Sequence, residues 1–238
     1  MDKQYTFTDF VGIIEALRAE DGCPWDREQT HESLKPCMTE EAAELLAAIR
    51  IYEKTGNAEN MAEELGDILL QVVMHSQIAK EEKLFTIDDV ISIVSQKMIR
   101  RHPHVFGEIS VDNSAQVLEN WEEIKKKEKV GKSWIESPLR EIPQELPALA
   151  RSVKVIKKAD KLYGLSESPD TLYDRLEAGV GKLREAAEDG ADTKRKEELY
   201  TNVLWMLAEL AYREKMMPEQ LLSERIADKI DYFEAQGE

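Results

Sequence analysis

Two runs of acids at helical spacing, Glu40-Glu41-x-x-Glu44 and, after nineteen intervening residues, Glu64-x-x-Asp67, lie inside strongly apolar amphipathic segments. Residues three or four apart share one face of a helix. Glu41 and Glu44 therefore project together, as do Glu64 and Asp67, and Glu40 flanks the first pair through its four-residue spacing to Glu44. Two such helices packed antiparallel would converge four or five carboxylates. Leu45, Ala48 and Ile49 follow the first cluster, and Leu65, Ile68, Leu69, Val72 and Val73 surround the second. The second helix is then apolar around most of its circumference, which predicts that it is largely buried.

Carboxylates gathered beside apolar surface repel one another unless they are protonated, paired with bases or bound to a cation. No Lys or Arg lies between Glu40 and Leu46 or between Met61 and Val73, so a metal is the economical reading. Ligands that are all oxygen favour Mg²⁺ or Mn²⁺ over zinc. The competing reading is that the acids decorate the solvent face of two helices in an acidic protein. Against it, positions 41, 44, 64 and 67 sit beside the apolar stripes.

Helical periodicity runs through the rest of the chain. Phe7, Phe10, Val11, Ile14 and Leu17 form a first stripe that ends at Asp21-Gly22, and Cys23-Pro24-Trp25-Asp26 reads as a turn-like connector. Gly56-Asn57 separates the two acid-bearing helices, Thr86-x-x-Asp89 has the form of a capping box, and Pro103 closes the helix that it opens. A further helix is predicted from about Ser114 through Trp121 to the lysines at 125 to 127. No strand alternation appears, and the fold class is all-α: two helical bundle domains, 1–130 and 147–238, joined by a linker over 131–146 that Gly131, Pro138 and Pro143 punctuate. Beyond Pro147, Leu149, Val153 and Ile156 open a second array, with Pro169 and Pro218 at first-turn positions. It reads as a worn copy of the first. Ala178 and Gly181 fall where Glu41 and Glu44 would, and Glu198 keeps the first acid of the second pair while Thr201 takes the place of Asp67.

The 238 residues, 42% of them hydrophobic, suffice for a core, and the formal net charge of −16 disfavours nucleic acid or an anionic membrane surface as a partner. No apolar run spans a bilayer and the N-terminus lacks a leader pattern, so a cytoplasmic location is expected. Cys23 and Cys37 with His31 between them are too loosely spaced for a zinc site.

Gly22-Cys23-Pro24-Trp25-Asp26, Gln29-Thr30, the two acid motifs and Arg100-Arg101-His102-Pro103-His104-Val105-Phe106 together resemble the MazG nucleoside triphosphate pyrophosphohydrolases, over roughly residues 7 to 127. The region from Pro147 onward is similar to the second half of two-domain members. The resemblance implies an all-α, dimerising enzyme that cleaves a nucleoside triphosphate to monophosphate and pyrophosphate with Mg²⁺, Mn²⁺ being a possible substitute. It places Glu41, Glu44, Glu64 and Asp67 at the metal and Glu40 at the extra acid of the first motif, here taken as the general base. Arg100, Arg101 and Lys125 match basic positions of the pattern and are expected to meet phosphates. For the arginines a structural role at a helix C-terminus weighs equally, and for Lys125 a solvated face weighs more. Trp25 is a candidate platform for the base, with a hydrophobic plug as the competing reading. His75 is expected to be a hydrogen-bonded core residue. Two other functions stay open: a base-selective dUTP or dCTP pyrophosphatase, and a nucleotide- or metal-binding regulator without turnover.

Overall fold

A computed structural model describes residues 3–107, 109–111, 113–129, 136–165 and 167–237. They form two compact units, Met1–Val130 and Gly131–Glu238, and contain helices but no strands. Among the described residues no helix is long and apolar enough to cross a membrane.

The first unit runs α1 (Phe7–Arg18), α2 (Pro24–Glu28), α3 (Lys35–Thr55), α4 (Glu59–Glu81), α5 (Ile87–Arg101), α6 (Pro103–Phe106) and α7 (Ser114–Lys129). The starts of α1 and α5 are fixed alike: Thr6 and Thr86 each accept from the amide three residues on, while Asp9 and Asp89 reach back to the cap amide. This satisfies donors that a helix start leaves orphaned. Gly22 is required by close approach. A Cβ there would lie 2.4 Å from the carbonyl oxygens of both Ala16 and Leu17. The segment after it departs from the expected connector, because Pro24 fits a first helical turn and opens α2.

Gly56, with φ of 74°, ends α3 in the left-handed conformation, and three residues later α4 begins. So short a link makes the two packed helices antiparallel. The core gathers Ile14 of α1, Leu34, and Val73, Met74 and Ile78 of α4, with Phe10, Val11, Leu17, Cys37, Leu70 and Ile87 around them. It covers only the C-terminal half of α4. Every buried residue of that helix lies from Gln71 onward, whereas Leu65 is 51% exposed. The expectation of a largely buried second acid helix therefore holds for half its length. The stripe of α1 reaches no further, and the acid-bearing half leaves Leu65 and Leu69 exposed, as Leu46 and Ile49 of α3 are.

The second unit contains α8 (Ala148–Tyr163), α9 (Pro169–Glu188), α10 (Thr193–Arg213) and α11 (Pro218–Gln236). Pro169 and Pro218 start their helices, and Gly164, at φ 64°, ends α8. Helix α10 packs against both α8 and α9. Gly179 lets α9 and α10 approach, since a Cβ there would lie 2.7 Å from Cε of Met206. Between α8 and α10, Arg213 pairs with Asp160 and, at 3.2 Å, with Glu209. The proline-punctuated stretch packs against this unit where it is described: Ile142 is buried, and Glu141 pairs with Lys158 of α8 at 2.6 Å. Residues 131–135 of the expected linker lie outside the described residues.

Candidate functional site

The three-residue connection between α3 and α4 brings their acidic faces together. Glu41 from α3 and Glu64 and Asp67 from α4, all half-buried, offer carboxylate oxygens that lie within 4.8 Å of one another. Asn60, one turn before Glu64, donates from Nδ2 to its Oε1 at 2.6 Å and orients it. Glu40 and Glu44 are exposed and stand outside this trio. They remain close enough to act on it. Burial pushes the Glu41 carboxyl above its ordinary range, and the charges of Asp67, Glu44, Glu64 and Glu40 push it further.

Three carboxylates so placed could hold a cation. Among the described residues, no ion pair of Lys or Arg with Glu40, Glu41, Glu44, Glu64 or Asp67 accompanies the cluster. The donor set is entirely oxygen, and its members come from two rigid helices. Both features fit a hard divalent ion such as Mg²⁺ or Mn²⁺.

The basic candidates are grouped elsewhere in the first unit. Arg100 and Arg101, in the last turn of α5, both grip Glu128 of α7: the closest approaches are 2.6 Å for Arg100 and 2.5 Å for Arg101. The Arg101 hydrogen bonds, and then those of Arg100, hold the Glu128 carboxyl down at about 2. The guanidinium of Arg101 also stands 5.1 Å over the Trp121 ring, and His102 meets the same ring edge-on. Lys125 lies 3.4 Å from Glu122 on its own helix.

Trp25 is 62% exposed on α2, so it does not plug a gap between helices. The turn that carries it is nonetheless rigidly tied. The buried guanidinium of Arg18 donates to the carbonyls of Asp26 and Gln29 and pairs with Glu81 of α4 at 2.7 Å. His75 does find a hydrogen-bond partner, His31 Nδ1 at 2.8 Å, with the two rings stacked. Burial, and next the neighbouring His31, lower its pKa.

Three residues that tie the candidate side chains and their turns in place were not read from the sequence. Arg18 looks like any last-turn cation, and the signal of its role is tertiary. Glu128 sits in a run of lysines and reads as surface charge. Trp121 marks a helix but gives no hint that an arginine covers it.

A family model described as the MazG nucleotide pyrophosphohydrolase domain matches residues 29–106, which include both acid motifs and the arginine pair but neither Trp25 nor Lys125. The chain is 39% identical over 232 residues to the nucleoside triphosphate pyrophosphohydrolase/pyrophosphatase MazG of Thermotoga maritima, an alignment that spans 98% of this chain and 86% of that protein. It is 38% identical over 192 residues to the nucleoside triphosphate pyrophosphohydrolase of Escherichia coli, across 79% of this chain and 70% of the relative. A 50% identity over 153 residues relates it to the uncharacterized protein YabN of Bacillus subtilis, of which the matched region is 30%.

Proposed function

This chain belongs to the MazG family, and from that premise we propose that it is an enzyme hydrolysing nucleoside triphosphates to the monophosphate and pyrophosphate, with the chemistry carried by its first unit. The observation that carries the assignment is the acidic trio Glu41, Glu64 and Asp67. Glu44 stands beside it and joins it as a ligand. A bound Mg²⁺ supplies charge neutralisation and Lewis acidity at the phosphate oxygens. Attack on phosphorus through a shell of negative oxygens requires both.

Glu40, exposed beside the trio on α3, accepts a proton from the attacking water. The water oxygen bonds to the α-phosphorus, the bond from that phosphorus to the α–β bridging oxygen breaks, and pyrophosphate leaves with the bond's electron pair. Arg100, Arg101 and Lys125 counter the charge of the β and γ groups. The open face of Trp25, held in place through Arg18, stacks on the base, which makes selection by shape and stacking more natural than selection by a dedicated hydrogen-bond pocket. This supports a role in clearing or adjusting nucleotide pools.

The exposed apolar side chains Leu46, Leu65 and Leu69 suit a second copy of the chain and support the reading of a homodimer. In the second unit, α9 and α10 keep a packed pair while Ala178, Gly181 and Thr201 replace acids. We assign it a structural and assembly role as a degenerate copy. A chain ending at Lys129 that retained both full activity and the oligomeric state of the parent would remove that role. The activity itself is tested by chromatography of products from a panel of canonical and modified triphosphates with Mg²⁺. Monophosphate and pyrophosphate from the parent, and neither from Glu41→Gln or Asp67→Asn, are expected. Turnover undiminished in both variants would place the chemistry elsewhere.

A further inference from the structure

The contact between α5 and α7 is an arginine pair closed on a single carboxylate. Glu128 Oε1 accepts from Arg100 Nε at 2.8 Å, and Oε2 accepts from Arg101 Nε at 3.1 Å and from its terminal nitrogen at 2.5 Å. The Glu128 side chain is only 13% exposed and that of Arg101 17%. Two features set this apart from an ordinary surface ion pair. Two cations meet one anion, which leaves a net positive charge in a protein whose formal charge is −16. The anion also stands in the last turn of α7, where the helix dipole disfavours negative charge. Arg100 is 53% exposed, and a largely buried pair such as Arg101–Glu128 is a poor stabiliser compared with apolar packing. Fold stability is therefore a weak reason for this one.

A carboxylate presents two oxygens to a guanidinium fork in the way a phosphate does, but with less charge. We propose that Glu128 is an internal substitute for a phosphate oxyanion: it occupies Arg100 and Arg101 in the free enzyme and is displaced by the polyphosphate tail of the substrate. This rests on the reading of the arginines as phosphate ligands and makes Glu128 an affinity-setting residue rather than a catalytic one. The consequence is selectivity by charge. A tail of two or three phosphates outcompetes the carboxylate, whereas a single phosphate does so poorly.

The test is calorimetric binding of inorganic pyrophosphate and of orthophosphate to the full chain in EDTA, with thermal melting by circular dichroism to verify the fold. Glu128→Gln removes the competitor but keeps the side chain's size. It is expected to bind pyrophosphate about ten-fold tighter than the parent, to narrow the preference for pyrophosphate over orthophosphate, and to lower KM in turnover. A purely structural Glu128 gives the opposite sign: a lowered melting temperature with unchanged or weaker binding, which overturns the proposal. If Glu128→Gln does not fold, Glu128→Asp, which retracts the carboxylate by one methylene, carries the test, with tighter pyrophosphate binding expected and parental or weaker binding overturning it. Arg101→Gln and Arg100→Gln separate the two layers of the argument. Parental pyrophosphate binding in both would refute the phosphate role of the arginines. Loss of binding in both, with no tightening in the Glu128 variants, would refute the role of Glu128 alone.

Discussion

Glu41→Gln should make the protein more stable and less able to use a divalent ion at the same time. In the fold its carboxylate shares a space with Glu64 and Asp67, their oxygens within 4.8 Å, and among the described residues no Lys or Arg pairs with them. Two unit charges at that separation repel by about 0.9 kcal/mol in bulk water and by about 3.5 kcal/mol at the effective dielectric typical near a protein surface. The trio is half-buried and screened by salt, so neutralising Glu41 relieves about 1–3 kcal/mol. At roughly 4 °C per kcal/mol for a unit of this size, the variant in EDTA should melt on the order of 5 °C above the parent. The sign with pH follows from the same cause. Glu41 is raised in the folded state, so its contribution is most favourable below the ordinary carboxylate range and is lost as pH rises through the raised pKa. The parent in EDTA should thus lose stability across that window, and the variant should lose less. Excess Mg²⁺ reverses the order: at a hundred times its dissociation constant an ion stabilises the parent by about 2.7 kcal/mol, and the variant forgoes most of this. Melting curves with EDTA and with Mg²⁺ decide the matter. A variant no more stable than the parent in EDTA, or one that keeps the parent's full response to Mg²⁺, would refute the reasoning.

Leu172 in α9 is fully buried, so Leu172→Ala should cost about 2–5 kcal/mol in the denaturation of the second unit, measured with urea. Arg213→Met leaves Asp160 and Glu209 as largely buried, uncompensated acids between α8 and α10, and a loss of about 3–5 kcal/mol is expected. Adding Asp160→Leu should recover part of that loss in the same assay. His75 is held below its ordinary value of 6.5, so the fold favours the neutral ring; that stability is complete above this value and is lost as pH falls through the lowered pKa. Melting temperature should accordingly decline between pH 7 and 5 in the parent, with a shallower decline in His75→Phe.

The all-α class, the helix starts at Thr86, Pro169 and Pro218 and the stop at Gly56 were legible because each depends on local chemistry. The acids were legible for the same reason: spacing along a helix fixes which side chains share a face. Which of them actually converge is a tertiary property. Register between α3 and α4 brings Glu41 together with Glu64 and Asp67 and keeps Glu44 at the edge of the trio. Periodicity also overstated the burial of α4, because it reports an apolar surface without saying whether this chain supplies the cover. Partners distant in sequence left no trace at all. Arg18 meets Glu81, 63 residues away, and Arg101 meets Glu128, 27 away. The exposure of Trp25 belongs to this class too, since it depends on how Arg18 ties the turn beneath it.

The central claim is attack at the α-phosphorus, and the fate of the solvent oxygen tests it most directly. Turnover of a nucleoside triphosphate in ¹⁸O-enriched water with Mg²⁺, followed by mass spectrometry of both products, should place the label in the nucleoside monophosphate and leave pyrophosphate unlabelled. Label in pyrophosphate, or the appearance of nucleoside diphosphate and orthophosphate, would contradict it.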